Sequence, residues 1–151
     1  MVDKNNFMMK LNILIILVTF FVFSCASTKL ERESGIMFSI VFGDCYNQDT
    51  ITVSINDVKV IDKAILKSDF SSGLTRTWIS HIQKSNDLIV ESEGVQTRVH
   101  VPVQDSFLLS ATKNGQTFKF NLDLKRGKYI VVEGCNAKIK VKQFKRKMMF
   151  E

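Results

Sequence analysis

The sequence predicts an all-β protein, a single antiparallel β-sandwich of nine or ten short strands after an N-terminal signal helix. Two observations support this prediction. From Ile36 onward, apolar and polar residues alternate with a period of two, which is typical of strands with one buried face. Pairs of turn-forming residues separate the runs, and strands at this spacing favour a sandwich, with a closed β-barrel as the alternative.

The alternation is clearest in FKFNLDL, residues 118–124, where four apolar side chains share one face and three polar ones the other. Residues 95–103 and 51–55 alternate in the same way, and nothing after residue 35 has a convincing helical stripe. The predicted strands are 36–42, 50–56, 58–66, 74–82, 87–92, 95–103, 106–112, 116–124, 128–133 and 137–144.

Four dipeptides between these runs predict hairpins, because Asn, Asp and Gly tolerate the positive φ of tight turns. They are Asn56-Asp57, Glu93-Gly94, Asn114-Gly115 and Arg126-Gly127. Pro102 cannot donate a ladder hydrogen bond, so its strand should lie at an edge or break there. In style, we expect an immunoglobulin-like or transthyretin-like sandwich.

The first 24 residues have the order of parts of an export signal. Lys4 and Lys10 precede LNILIILVTFFVF, residues 11–23, which carries no charge. Thirteen helical residues extend only about 20 Å, less than the roughly 30 Å of a bilayer core. We therefore expect a signal peptide over residues 1–24, and an uncleaved anchor or a conventionally cleaved signal are the alternatives.

Val22-Phe23-Ser24-Cys25 resembles the lipobox of bacterial lipoproteins, with Phe23 bulkier than the usual pattern. The resemblance implies that Cys25 is acylated and anchors the chain in the bilayer. GDCYNQDTITVSIND, residues 43–57, looks like the opening of small β-rich lipoproteins of the Bacteroidota kind, which brings no activity with it. Ala-Ser-Thr-Lys after Cys25, rather than acidic residues, favours a periplasm-facing location in the cell envelope.

The expected organisation is a signal peptide (1–24), an anchor cysteine with a polar tether (25–35) and one β-sandwich domain with a basic C-terminal strand and tail (36–151). If Cys25 is acylated, Cys45 and Cys135 remain as an even pair. An oxidising periplasm would let them form a disulfide, and two free buried thiols are the alternative.

Candidate binding residues fall into two groups. Trp78, Phe70 and Tyr46 would form a stacking platform for a sugar or a contact for a partner protein, if they are exposed. The basic residues near the C-terminus would contact anionic lipid or lipopolysaccharide, or would protect an edge strand from aggregation. These basic residues are Lys138, Lys140, Lys142, Lys145, Arg146 and Lys147.

No catalytic or cofactor motif appears. His81 and His100 have no paired-ligand spacing, so neither a metal site nor a cofactor is expected. Asp44, Asn47 and Asp49 offer oxygens of the calcium-binding type, but turns favour the same residues. For an exported chain, nucleic acid is not an expected partner.

The sequence therefore predicts a non-enzymatic, membrane-anchored binding module for an envelope protein or glycan. A structural subunit of an envelope or pilus-like complex, in which an exposed strand edge accepts a neighbour's strand, is the first alternative. A small envelope enzyme or enzyme inhibitor is the second.

Overall fold

The computed structural model describes residues 36–82 and 85–147. The expected signal helix, Cys25 and the tether lie outside these residues. The ten strands are β1 Ile36–Phe42, β2 Asn47–Ile55, β3 Val58–Lys67, β4 Thr77–Ile82, β5 Asp87–Ser92, β6 Val95–His100, β7 Ser106–Lys113, β8 Gln116–Asp123, β9 Tyr129–Glu133 and β10 Lys140–Phe144.

These strands form two sheets, which confirms the predicted all-β sandwich. The larger sheet has the order β10-β9-β1-β4-β5-β6, and the smaller has the order β3-β2-β7-β8. The sheets are not closed into a barrel. Neighbouring strands are antiparallel in every pair but one, because β9 runs parallel to β1.

The core lies between the inner faces of the two sheets. Phe38, Ile40 and Phe42 of β1 are 0–1% exposed, and they face a second layer that includes Ile51 and Val53 of β2, both fully buried. Because alternate residues of a strand point to opposite faces, the period-two apolar pattern produces these buried layers. Each fully buried large aliphatic or aromatic side chain contributes about 1.5–3 kcal/mol.

Three of the four predicted hairpins are confirmed, with positive φ at both turn residues. They are Asn56-Asp57, Glu93-Gly94 and Asn114-Gly115. The fourth prediction, a hairpin at Arg126-Gly127, is wrong, because β8 and β9 belong to different sheets. Gly127 instead packs against the β10 backbone, where an added Cβ would lie 2.6 Å from backbone atoms of Phe144.

Three predicted strands are three residues shorter than expected, and the first is β4, which begins at Thr77 rather than residue 74. β6 ends at His100 rather than residue 103, and Pro102 lies in the following connection, where its carbonyl accepts a hydrogen bond from the Asn56 side chain. β10 begins at Lys140 rather than residue 137, because Asn136 and Ala137 take the positive φ values of a turn (54° and 57°).

The directions of the strands place each connection at one of the two ends of the sandwich. β1 begins at Ile36 at one end, which we call the tether end because residues 26–35 lead to it in sequence. This end also carries the β2–β3, β4–β5, β6–β7 and β8–β9 connections. The opposite end, which we call the disulfide end, carries the β1–β2, β3–β4, β5–β6, β7–β8 and β9–β10 connections.

Candidate binding groove

An open groove runs along one side of the sandwich, between β8 at the edge of the smaller sheet and β10 at the edge of the larger one. Its volume is about 530 Å³, and it is open to solvent along much of its length. Its lining residues are Lys119, Phe120, Asn121, Leu122, Arg126, Val141 and Gln143.

The groove exists because both flanking strands are edge strands. Among the described residues, β8 pairs only with β7, and β10 pairs only with β9. Phe118 and Phe120 of β8 and Val141 of β10 point toward the core side but are only partly buried against it. The alternation that buries apolar residues in the central strands therefore leaves apolar surface accessible at this side.

Polar groups close one end of the groove and flank its apolar floor. The Gln143 side-chain amide donates hydrogen bonds to the carbonyl oxygens of Asp123 and Gly127, both at 2.9 Å. These bonds tie β10 to the β8–β9 connection at the tether end. Lys119 and Arg126 are exposed at the rim. The groove therefore combines two free strand edges and an apolar floor with a cationic rim.

The cysteine prediction is supported by the geometry. Cys45 and Cys135 are joined by a disulfide across 90 residues of sequence, with their Cα atoms 4.8 Å apart. The bond links the β1–β2 connection to the β9–β10 connection at the disulfide end. Cys45 has a positive φ of 70°, and it lies exposed at the surface.

The predicted stacking platform is not assembled as expected, because Tyr46 is only 3% exposed. Its ring meets Phe42 edge-on in the core, with ring centroids 6.3 Å apart, and its hydroxyl donates to the Val132 carbonyl at 3.4 Å. Trp78 is half-buried and lies on the outer face of the larger sheet between Val41 and Glu91.

Phe70 is fully exposed, at 105% of its reference area, in the β3–β4 connection at the disulfide end. The Asp69 carboxylate orders this connection. It accepts hydrogen bonds from the hydroxyl and backbone N–H of Ser71 and from the backbone N–H of Ser72. The Ser71 hydroxyl, followed by the two backbone N–H groups, lowers the pKa of Asp69 to about 2.

The basic residues near the C-terminus are divided among β10, the turn before it and the segment after it. Lys140 and Lys142 share the outer face of β10, where Lys142 pairs with Glu133 at 2.7 Å. Lys138 lies instead in the turn before β10, and its backbone N–H donates to the Cys135 carbonyl at 3.0 Å. The remaining basic residues, Lys145, Arg146 and Lys147, follow β10 at the tether end and are exposed.

Sequence reasoning missed a buried charged cluster at the disulfide end. The Lys113 ammonium lies 3.2 Å from the Asp49 carboxylate, and the two side chains are 7% and 13% exposed. It also donates to the Gly134 carbonyl and lies 5.5 Å from the centroid of the Tyr46 ring. The available signal was the position of Lys113 on the apolar face of β7, in line with Phe107, Leu109 and Ala111.

The cluster shifts the protonation equilibria of two of its members. Burial disfavours the charged form of Asp49. However, hydrogen bonds from the Asn47 backbone and from the Asn114 and Lys113 side chains outweigh it, and the pKa of Asp49 lies below its usual value. Burial, together with Asp49 and Glu133, raises the pKa of Tyr46 well above its usual value. Asp49 is therefore occupied by protein partners rather than available to a calcium ion.

Within residues 36–82 and 85–147, no three His, Cys, Asp or Glu side chains are grouped so that they could hold a metal ion. The same residues contain no helix with the length and apolar character needed to span a membrane. In comparisons with known proteins, no family model, curated protein or solved structure matches the chain.

Proposed function

We propose that the chain is a membrane-anchored, non-catalytic binding domain whose groove holds an extended segment of another envelope protein. The observation that carries this proposal is the open side of the sandwich, where β8 and β10 present free edges above partly covered apolar side chains. An extended segment adds to such an edge through backbone hydrogen bonds, and the sites for its alternate side chains provide specificity.

The lining of the groove supports one chemistry for the bound segment. Phe120 and Val141 offer an apolar floor, whereas Lys119 and Arg126 place positive charge at the rim. Successive side chains of a strand point in opposite directions. The best-fitting segment therefore alternates apolar residues, which face the floor, with acidic residues, which face the rim cations.

The other candidate ligands fit less well. Tyr46 is buried in the core and is not available to stack on a glycan. The other two candidates do not form one surface, because Trp78 is half-buried on a sheet face and Phe70 lies in the β3–β4 connection. A strand from a second copy of this chain would use the same groove, as in the assembly-subunit alternative. The groove would therefore serve either a segment of another protein or a strand from a second copy of this chain. Self-association of the purified chain would favour the second copy.

Synthetic eight-residue peptides test the proposal on full-length protein in detergent micelles. We compare a peptide of alternating valine and glutamate with one that has lysine in place of glutamate, and with one of the same composition in blocks. We expect the alternating acidic peptide to bind most tightly by fluorescence anisotropy. It should also slow amide hydrogen exchange in β8, residues 116–123, more than in β3.

A pair of charge reversals provides the control. Lys119 and Lys67 are both exposed lysines on edge strands of the smaller sheet, but only Lys119 lines the groove. Lys119→Glu should weaken the acidic peptide about fivefold, whereas Lys67→Glu should leave its affinity unchanged. Equal effects, or exchange protection away from β8 and β10, would refute the groove. Concentration-dependent dimers with protected β8 amides would favour the assembly role.

A further inference from the structure

The chain enters and leaves the described domain at the same end. In the larger sheet, Ser39 near the start of β1 pairs with Tyr129 of β9, and Tyr129 pairs with Phe144 at the end of β10. The first strand therefore starts, and the last strand ends, on neighbouring positions at the tether end. Whatever precedes Ile36 joins the domain beside the residues that follow Phe144.

Exposed cations from two segments far apart in sequence lie at this end, and five of them define one surface. They are Lys125, Arg126 and Lys128 in the β8–β9 connection, and Lys145 and Arg146 after β10. We call this surface the basic corner. No ion pair among the described residues includes any of the five, although the Lys128 ammonium lies 5.5 Å from the Tyr129 ring centroid.

Packing, rather than chance proximity, joins the two segments. The Gln143 side chain donates to the Gly127 carbonyl at 2.9 Å. Gly127 lies so close to β10 that an added Cβ would meet the Phe144 backbone at 2.6 Å. The carboxylate of Asp123 accepts the backbone N–H of Lys125, also at 2.9 Å. The exposed Asp105 lies beside the same connection, because its carbonyl accepts the backbone N–H of Leu124 at 2.8 Å. The basic corner keeps a clear excess of positive charge.

We propose that the basic corner rests on an anionic lipid surface. The inference relies on the membrane anchoring in the proposed function. Ten residues separate Cys25 from Ile36, and they reach at most about 35 Å when fully extended. An anchor at Cys25 would therefore keep the tether end within about 35 Å of the lipid head groups, whereas the disulfide end has no such limit except through the length of the domain. Exposed charges act over about 8 Å at physiological ionic strength, so the position of the cations beside the chain entry is decisive.

The chemistry of the surface also fits lipid phosphates. Each cation near an anionic membrane strengthens binding to that membrane by about fivefold. This attraction depends on charge alone, so the basic corner needs no specific contact with an individual lipid. Arg126 also lines the groove, so it is left out of the test. Removal of the other four charges is then expected to affect lipid contact and not the binding of a segment in the groove.

The test uses full-length protein reconstituted into vesicles of neutral phosphatidylcholine, or of phosphatidylcholine with about a third phosphatidylglycerol. Amide hydrogen exchange is measured in residues 124–129 and 144–147, with residues 68–76 at the disulfide end as the internal reference. We expect the two tether-end segments to exchange several-fold more slowly on anionic vesicles than on neutral ones. This difference should disappear at about 1 M salt, where the screening length falls to about 3 Å.

A matched pair of variants removes three lysines and one arginine from each end. Lys125→Gln, Lys128→Gln, Lys145→Gln and Arg146→Gln together should abolish the anionic-lipid effect. Lys67→Gln, Arg76→Gln, Lys138→Gln and Lys140→Gln together, at the disulfide end, should preserve it. Equal exchange of the tether-end segments on both vesicle types, or loss of the effect in both variants, would overturn the inference.

A chain that is not membrane-anchored would give a different result from an anchored chain whose basic corner does not contact lipid. A chain that floats with neither vesicle type would refute the anchoring itself, whereas a chain that floats with both but shows no anionic effect refutes only the lipid contact of the corner. Binding to a short DNA duplex that the tether-end variant loses, without any vesicle effect, would overturn the inference in favour of nucleic acid.

Discussion

The Lys113 ammonium group lies 3.2 Å from the Asp49 carboxylate in a site where both side chains are largely removed from water. Because the Gly134 carbonyl also accepts from Lys113, one cation satisfies two groups at the disulfide end. This arrangement differs from the pair formed by Lys59 and Asp62, which are both 55% exposed and 2.7 Å apart.

We expect removal of the lysine to have very different effects on stability in the two pairs. Lys113→Met should lower the free energy of unfolding by about 3–5 kcal/mol, because it leaves a buried carboxylate without its cation. Lys59→Met should produce little measurable change, since solvent screens its exposed pair. Urea denaturation of both variants at neutral pH measures the difference. Equal losses would contradict the buried role of Lys113.

His81 predicts a loss of stability in mild acid. Its ring is 2% exposed and stacks on Phe38 with centroids 5.2 Å apart, and neither ring nitrogen has a hydrogen-bond partner among the described residues. Burial lowers the pKa of His81 below 6.5, and Asp87 only partly opposes this effect. As the pH is lowered, the unfolded chain therefore binds a proton at His81 at a higher pH than the folded chain does. The free energy of unfolding falls as the pH decreases below about 6.5.

The test compares the free energy of unfolding at about pH 8 and pH 5.5 in the wild type and in His81→Leu. We expect the wild type to lose stability over this interval and the variant to lose much less, because leucine does not titrate. The difference between the two chains isolates the contribution of His81. A wild type and a variant with the same pH dependence would show that His81 does not carry the effect.

The disulfide predicts a large effect from one covalent bond. Cys45 and Cys135 are 90 residues apart in sequence, so the bond restricts much of the unfolded chain. Replacement of both cysteines by serine should cost about 4–5 kcal/mol in the chain-entropy account. Guanidinium denaturation measures the loss, and a reductant should destabilise the wild type but not the double variant. A loss below about 1 kcal/mol would contradict this account.

Acylation of Cys25 is tested by intact mass. Protein extracted from membranes should begin at Cys25 and carry added acyl mass, which Cys25→Ala should lack. Reduction should then add two mass units for the Cys45–Cys135 bond. A chain that keeps residues 1–24 without added acyl mass would replace the lipid anchor with an uncleaved one.

Local patterns predicted the strands well, because the alternation of apolar and polar residues is visible within each strand and reflects its one buried face. In β1, the run from Ile36 to Phe42 has the predicted bounds. The same pattern predicted burial of Val95 in β6, but that side chain is 65% exposed. β6 lies at the edge of the six-stranded sheet, and the opposing sheet has two strands fewer to cover it.

Long-range features were not predictable in this way. The groove combines Phe120 with Val141, from edge strands of different sheets, and the basic corner combines Lys125 with Lys145. Neither combination follows from local periodicity or turn chemistry. Even the buried Lys113 was visible only as an exception to an apolar face, and its partner Asp49 lies 64 residues earlier in the chain.

The parallel pairing of β9 with β1 has a consequence for the order of folding. Ser39 meets Tyr129 in this pair, so the first strand acquires its second neighbour only when almost the whole domain has been synthesised. Contacts of such large sequence separation slow folding, because their loop entropy is lost before they contribute stability. Until then the edge of β1 opposite β4 is open, and a chaperone that shields this edge would protect the chain from aggregation.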